Sequence, residues 1–365
     1  MTKLMQRITA ALFCLFFAGF GLLHLILPDR TFSPVENRNL SQLPEFSWKT
    51  LVDGSYTADL ETYLADQFPL RDSWIGLKTG YTLLLGHREF NDVYLCGDTL
   101  IAKVSDSSRA QMNLQSLQKL LAKTELPVYV GMIPTAAETW KDKLPAGAPS
   151  FDQSAYIEQV KGIGGIWVDM QGVLNAHRDE AIYYRTDHHW TSLGAYYGYT
   201  ALMDAMGETA LPLGDGETVS DNFNGTLYST SGVHWLTPDT IERYVSGEGV
   251  TVENVITGEI RGLYVDSFLQ EKDQYSSFMG GNNPLYIVRN PDAVTDQKIL
   301  VVRDSFSDSL APFLSQQFSE VHLMDLRYYR TSVAQYAADN DMDSIFICYS
   351  VDNFIKDTDA FFIGQ

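Results

Sequence analysis

Basic side chains are scarce in this chain: 26 Lys and Arg stand against 46 Asp and Glu in 365 residues, a formal net charge of −20. Phosphate binding needs clustered Lys and Arg, so nucleic acid is excluded as a partner. Cysteine is scarcer still. Cys14 lies inside an apolar run, so at most one bridge, Cys96 to Cys348, is open to the chain, and no short-spaced Cys pair offers a zinc shell. Internal repeats and low-complexity tracts are absent, and 45% hydrophobic with 20% charged residues is the composition of a folded chain. Long apolar runs are missing too, with one exception.

That exception is Ile8 to Leu27, uncharged throughout and preceded by Lys3 and Arg7. Twenty helical residues at about 1.5 Å each cross a hydrocarbon core of roughly 30 Å. The basic residues favour a cytoplasmic N-terminus. A cleaved signal peptide would carry a shorter apolar core and an A-x-A-like site, whereas Leu25-Ile26-Leu27-Pro28-Asp29 follows here. The expectation is a single-pass signal anchor in the cell membrane, residues 1–28, with the main domain extracytoplasmic.

Residues 29–106 read as a helical lead-in, with Leu60, Tyr63, Leu64 and Phe68 at helical spacing. From 107 to 365 helix and strand patterns alternate. Ala110, Leu114, Leu117 and Leu121 share a helix face, and so do Tyr156, Val160 and Ile163. Another helix is expected over Ser192 to Met206 behind a Thr191 or Ser192 cap. Strands are expected at Pro127–Ile133, Gly165–Met170, Lys298–Val302, Glu320–Leu326 and Ser344–Tyr349. This alternation predicts an α/β fold with a mostly parallel sheet covered on both faces. Between about 207 and 290 the rhythm lapses into Gly, Asn, Ser and Thr, which reads as an insertion or lid.

Two clusters carry ionisable or nucleophilic side chains. In Asp187-His188-His189-Trp190 residues two apart face one side of an extended segment, so Asp187 approaches His189 while His188 points away. A carboxylate on an imidazole N–H fixes its tautomer and poises the ring as a base. Asp187 is equally a helix cap. Metal is not expected, since adjacent residues seldom all reach one ion and no distant Cys or Glu motif completes a shell; no cofactor is expected either. In Arg303-Asp304-Ser305 an apolar strand gives way to a helix, the place where open α/β sheets put their sites, although Asp-Ser is also an ordinary cap. A third stretch, Tyr275 to Pro284, contains Gly280, Gly281 and Asn282, which read either as oxyanion donors or as a tight turn.

Several separated blocks in one order give the chain a specific resemblance: Glu36-Asn37-Arg38, Tyr63 to Arg71, Asn91 to Gly97, Ile133-Pro134-Thr135, Asp187 to Trp190, Phe223 to Ser229, Tyr275 to Leu285, Asp304-Ser305-Phe306 and Asp325 to Tyr328. It resembles the DHHW family of bacterial envelope proteins, related to alginate O-acetyltransferases of the AlgX/AlgJ type. The resemblance implies a three-layer SGNH hydrolase-like fold with a rearranged motif order, Asp and His before Ser. It also implies Ser305 as nucleophile, His189 as base and Asp187 as its orienting partner. The Ser block reads Arg-Asp-Ser where hydrolases of that fold have Gly-Asp-Ser. Asn282 and Gly281 are the oxyanion candidates; Trp190, Arg303, Arg327 and Tyr328 are the substrate-binding candidates. The implied activity is O-acetylation of a cell-surface polysaccharide, with acetyl groups supplied by a membrane-bound O-acyltransferase partner. The alternatives are a carbohydrate acetylesterase with the same three residues and a noncatalytic glycan-binding or assembly scaffold. Without Lys3 and Arg7 the external part carries −22, which favours a neutral or weakly charged glycan unless Arg185, Arg303 or Arg327 forms a local basic patch.

Overall fold

The computed structural model describes residues 3–365. The chain divides into two units, one of residues up to His87 with Gly232–His234, the other of Arg88–Ser231 and Trp235–Gln365.

In the first unit, helix α1 (Lys3–Ile26) buries no residue and, with a mean hydropathy of 2.1 over its most apolar window, is long and apolar enough to cross a membrane. Two further helices, α2 (Ser55–Asp66) and α3 (Arg71–Leu84), pack beside it. Phe20 stacks on Phe68 with ring centroids 5.4 Å apart, and its ring also meets Trp74. Two of the sequence blocks meet here: Arg38 forks onto the Asp66 carboxylate at 2.5 and 2.9 Å, and Arg71 reaches Glu36 at 2.7 Å. The Arg38 hydrogen bonds hold the Asp66 carboxyl down at about 2, against the opposing effect of burial.

The second unit is built on an eight-stranded sheet. Its strands are β1 (Val128–Ile133), β2 (Ile166–Trp167), β3 (Thr251–Asn254), β4 (Glu259–Gly262), β5 (Leu285–Arg289), β6 (Thr295–Arg303), β7 (Phe318–Met324) and β8 (Ser344–Ser350), in the order β4-β3-β5-β7-β6-β8-β1-β2. The run β7-β6-β8-β1-β2 is parallel throughout, and β5, β3 and β4 add an antiparallel edge. Every residue of β1 and β8 is buried, as a sheet covered on both faces requires. Three helices, α5 (Met170–Ala176), α6 (Ser192–Met206) and α7 (Ser307–Gln317), pack together as one layer; α4 (Ala110–Leu121) and α9 (Val351–Lys356) form the other, and α8 (Val333–Asp339) joins them through the C-terminal turn. This is the three-layer, mostly parallel α/β arrangement expected from the sequence.

Two expectations are corrected and one open point is settled. The stretch 207–290 does not stand outside the sheet: β3, β4 and β5 belong to its antiparallel edge, and only the hairpin Glu217–Phe223/Asp239–Arg243 forms a separate ladder. The strand expected over Gly165–Met170 shrinks to two residues because the Asp169 side chain accepts from Gly172 N and starts α5 at once. Cys96 and Cys348 are both free thiols; Cys348 lies in the centre of the sheet, where burial pushes its thiol far above the usual range.

Candidate functional site

Strand β6 runs apolar from Ile299 to Val302 and ends at Arg303, so Ser305 falls in the turn before α7, at the carboxyl edge of the parallel strands. Asp304 shapes that turn. Its Oδ1 accepts from Phe306 N at 3.0 Å, while Oδ2 accepts from Ser350 N, Ser350 Oγ and Asn353 Nδ2 at 2.7 to 2.9 Å, tying the end of β6 to the end of β8.

The Asp187–Trp190 segment meets this turn. Trp190 Nε1 donates to Phe306 O at 2.8 Å, and His189 Nε2 lies 2.7 Å from Ser305 Oγ. On the other side of the ring, His189 Nδ1 lies 2.6 Å from Asp187 Oδ1, which also accepts from His189 N. A carboxylate only accepts, so Nδ1 carries the proton and, in the neutral ring, Nε2 accepts from the serine hydroxyl. Asp187, His189 and Ser305 therefore form one hydrogen-bonded series. Such a series can draw a proton from the hydroxyl and stabilise the imidazolium that results.

Residues outside these two clusters hold the series in place. Thr226 donates to Asp187 Oδ2 from both its N–H (2.7 Å) and its hydroxyl (2.9 Å), and that hydroxyl in turn accepts from His188 Nδ1 at 2.7 Å. The Tyr275 ring lies flat on His189, 9° from parallel with centroids 3.9 Å apart, and its hydroxyl bonds Ser305 O and Ser309 Oγ. Burial raises the Asp187 carboxyl, but the charges of His188 and His189 and the bonds from His189 and Thr226 outweigh it, leaving Asp187 far below the usual carboxylate range. Burial, with His189 alongside, pushes His188 down to about 4. Asp187, His188 and His189 bring one donor atom each within 4.8 Å of one another, yet those donors are spent on Thr226, Ser305 and each other, so the set does not fit an ion without breaking the series.

The other candidates fare differently. Trp190 is fully buried, and a Cβ added at Gly198 would lie 2.7 Å from its ring, so it braces the site and offers no face to a sugar. Arg303 is also fully buried, bonded to Asp308 Oδ1 at 2.6 Å, which removes it from substrate contact. Asn282 accepts from Arg327 at 3.3 Å, and neither it nor Gly281 hydrogen-bonds Ser305; Gly281 takes a left-handed φ of 81° in the turn. Arg327 forks onto Asp325 at 2.6 and 2.9 Å and lines a cavity beside Asp304, with the exposed Tyr328 ring against it. Arg185 pairs with Asp239, so each of the three arginines considered for a basic patch already has its acid.

The family model described as DHHW protein matches residues 103–324. Among solved structures the chain is similar to a DHHW family protein from Eubacterium siraeum, with a TM-score of 0.66 and 22% identity over 75% of this chain and 95% of that one. It is similar to Bacillus cereus PatB1 carrying a sulfonyl adduct, with a TM-score of 0.62 and 18% identity over 75% and 98%. It is more distantly similar to the O-acetyltransferase domain of Pseudomonas putida AlgJ, with a TM-score of 0.46 and 13% identity over 73% and 94%. At these identities the likeness is one of fold. No curated protein matches the sequence. With the Asp-His-His-Trp segment seated against the serine turn and the family model spanning more than half of the sequence, the chain belongs to the DHHW family.

Proposed function

We propose that this protein is a membrane-anchored, extracytoplasmic O-acetyltransferase that modifies a cell-surface polysaccharide through an acetyl-serine intermediate. The observation that carries the reading is the series Asp187–His189–Ser305, closed at 2.6 and 2.7 Å. Ser305 Oγ attacks the acetyl carbonyl as His189 Nε2 takes its proton; the tetrahedral adduct collapses, and the leaving group departs with that proton. A sugar hydroxyl then gives its proton to His189 and attacks the acetyl-serine carbonyl, and Ser305 leaves reprotonated. The backbone N–H of Ser305 donates to no acceptor among the described residues, which leaves it free for the developing oxyanion. In this reading α1 is the anchor, and a membrane-bound O-acyltransferase delivers the acetyl group.

Two reagents test it. Phenylmethanesulfonyl fluoride should add one sulfonyl group to Ser305, and an activated acetyl ester with a neutral oligosaccharide should yield acetylated sugar, both lost in Ser305→Ala and His189→Ala. Acetate without acetylated sugar would reassign the site to an esterase. Failure of Ser305 to label with either reagent would leave a glycan-binding scaffold.

A further inference from the structure

A row of apolar side chains runs unburied along α3 in the first unit. Trp74, Leu77, Tyr81 and Leu84 fall within about 80° of one another at 3.6 residues per turn, and Leu70 and Leu85 extend the row at its two ends. All six are exposed, from 37% at Trp74 to 86% at Leu84. The opposite face of the helix is the packed one: Ile75 and Thr79 lie against Gly232, where an added Cβ would meet Thr79 Oγ1 at 2.9 Å and Ile75 Cγ2 at 3.1 Å. A surface helix of a soluble domain turns one apolar face inward and a polar face outward. Helix α3 packs one face and leaves a second, apolar one outside, and contiguous apolar surface of this kind marks a protein or membrane contact.

The place where the row begins shows what covers it. The Trp74 ring meets two rings of α1, Phe20 at 5.8 Å and Phe16 at 6.4 Å between centroids. These phenylalanines lie six and ten residues before Ile26, hence about 9 and 15 Å inside the outer end of α1 at about 1.5 Å per residue. In a hydrocarbon core roughly 30 Å thick that is the outer half. Whatever surrounds α1 at that depth also reaches Trp74, and α1 buries no residue of its own. Charge agrees with lipid. Although the part of the chain after residue 28 carries −22, the row contains no acid; the single acid of α3, Asp72, lies on the far face and accepts from Arg30 at 2.9 Å. Lys78 stands exposed beside the row with no ion pair among the described residues, placed to lay its stem on apolar surface and its ammonium on a lipid phosphate. Trp and Tyr together with Leu on one face and a cation at the margin are the composition of a helix that lies in a membrane interface.

Resting on the reading of α1 as the anchor, we infer that the outward row of α3 is a second membrane contact, seated in the outer acyl-chain boundary of the bilayer that α1 crosses, with Lys78 on the lipid phosphates. The row lies in the interface and does not span it. It therefore orients the anchored unit and, unlike α1, does not by itself withstand an alkaline carbonate wash.

The test uses the full chain reconstituted into vesicles of phosphatidylcholine alone, with an environment-sensitive fluorophore on one cysteine at a time. Cys14 within α1 takes the probe as it stands; Leu77→Cys and Leu84→Cys are each combined with Cys14→Ser, and Cys96→Ser is added throughout, Cys348 being sealed in the sheet. Both replaced leucines are exposed, which spares the packed face. The probes replacing Leu77 and Leu84 should shift their emission to the blue and lose about half of it to lipid brominated near the headgroup end of its acyl chains. Emission unshifted and unquenched at both positions would overturn the assignment. So would a blue shift without quenching, which would put a second copy of the chain on the row in place of lipid. The Cys14 probe reports the anchor separately: quenching there without quenching on α3 sinks the interfacial row alone, and the reverse pattern sinks the anchor alone.

Discussion

At the scale of single residues, close contacts decide what the site tolerates. A Cβ added at Gly225 would lie 2.3 Å from Asp187 Cβ and 2.4 Å from Oδ2, so Gly225→Ala must push the carboxylate off His189. Displacement of about an ångström in a reacting array costs on the order of a hundredfold in rate, and that loss is expected in the acylation of Ser305 by an activated ester; an unchanged rate would show that Asp187 does not orient the base. His188 makes a second, pH-dependent prediction. Its folded-state pKa of about 4 lies below its ordinary 6.5, so between those values the unfolded chain takes up a proton that the folded one refuses, and stability falls as pH drops. Asp308 runs the other way: burial, opposed by Arg303, raises it to about 6, and its contribution is lost as pH rises toward that value. The two partly cancel in the wild type. Urea unfolding of His188→Gln should therefore lose less stability than wild type from pH 6.5 to 4, and parallel curves would refute the account.

Elements show which parts of the fold were legible in sequence. Helix α6 follows its Thr191 cap over Ser192–Met206, as the pattern predicts, because the capping signal and the apolar periodicity agree. The segment over 165–170 has strand composition, but a local Asp169 cap overrides it. Residues 251–289 carry weak strand signals because they form the antiparallel edge of the sheet, where β4 is mostly exposed. In the site, Asp187, His189 and Ser305 were readable as residue types beside turns. Thr226 and Tyr275 lay within recognisable blocks, but their contacts with Asp187 and His189 exist only once the hairpin and the 274–277 turn fold over the site. The role of Trp190 is not legible in the sequence, because an aromatic beside an Asp-His pair suits both sugar stacking and bracing. The two small residues facing it in α6 decide the matter: a Cβ at Gly194 would lie 2.9 Å from Trp190 Cβ and 2.3 Å from Ile182 O, and one at Gly198 would lie 2.7 Å from the ring. Gly198→Ala should cost about 1–3 kcal/mol, and Gly194→Ala, facing unyielding backbone, more; a shifted urea midpoint at constant slope would register both. Wild-type midpoints would mean that Trp190 is not clamped by this helix.

For the whole molecule, charge and apolarity are segregated along the chain. Among the described residues the one long apolar helix carries Lys3 and Arg7 at its start, and everything after residue 28 carries −22. If α1 is an anchor, the full chain should stay with membranes through an alkaline carbonate wash, and removal of residues 1–28 should release it; a full chain that washes off would refute anchoring. The surplus of acid also bears on the acceptor that the proposed transferase would take. Like-charge repulsion acts over a Debye length of about 10 Å at 0.1 M salt and fades as salt rises, whereas an uncharged ligand feels neither the field nor its screening. Arg185, Arg303 and Arg327 are each engaged with an aspartate, so none of the three is free to reverse the field near the serine. Acetyl transfer to polygalacturonate should therefore be slow at low ionic strength and rise severalfold between 10 and 200 mM salt, while transfer to a neutral xylan fragment stays flat. A rate toward the anionic polymer that falls with added salt would reveal an attractive patch and overturn the preference for an uncharged glycan.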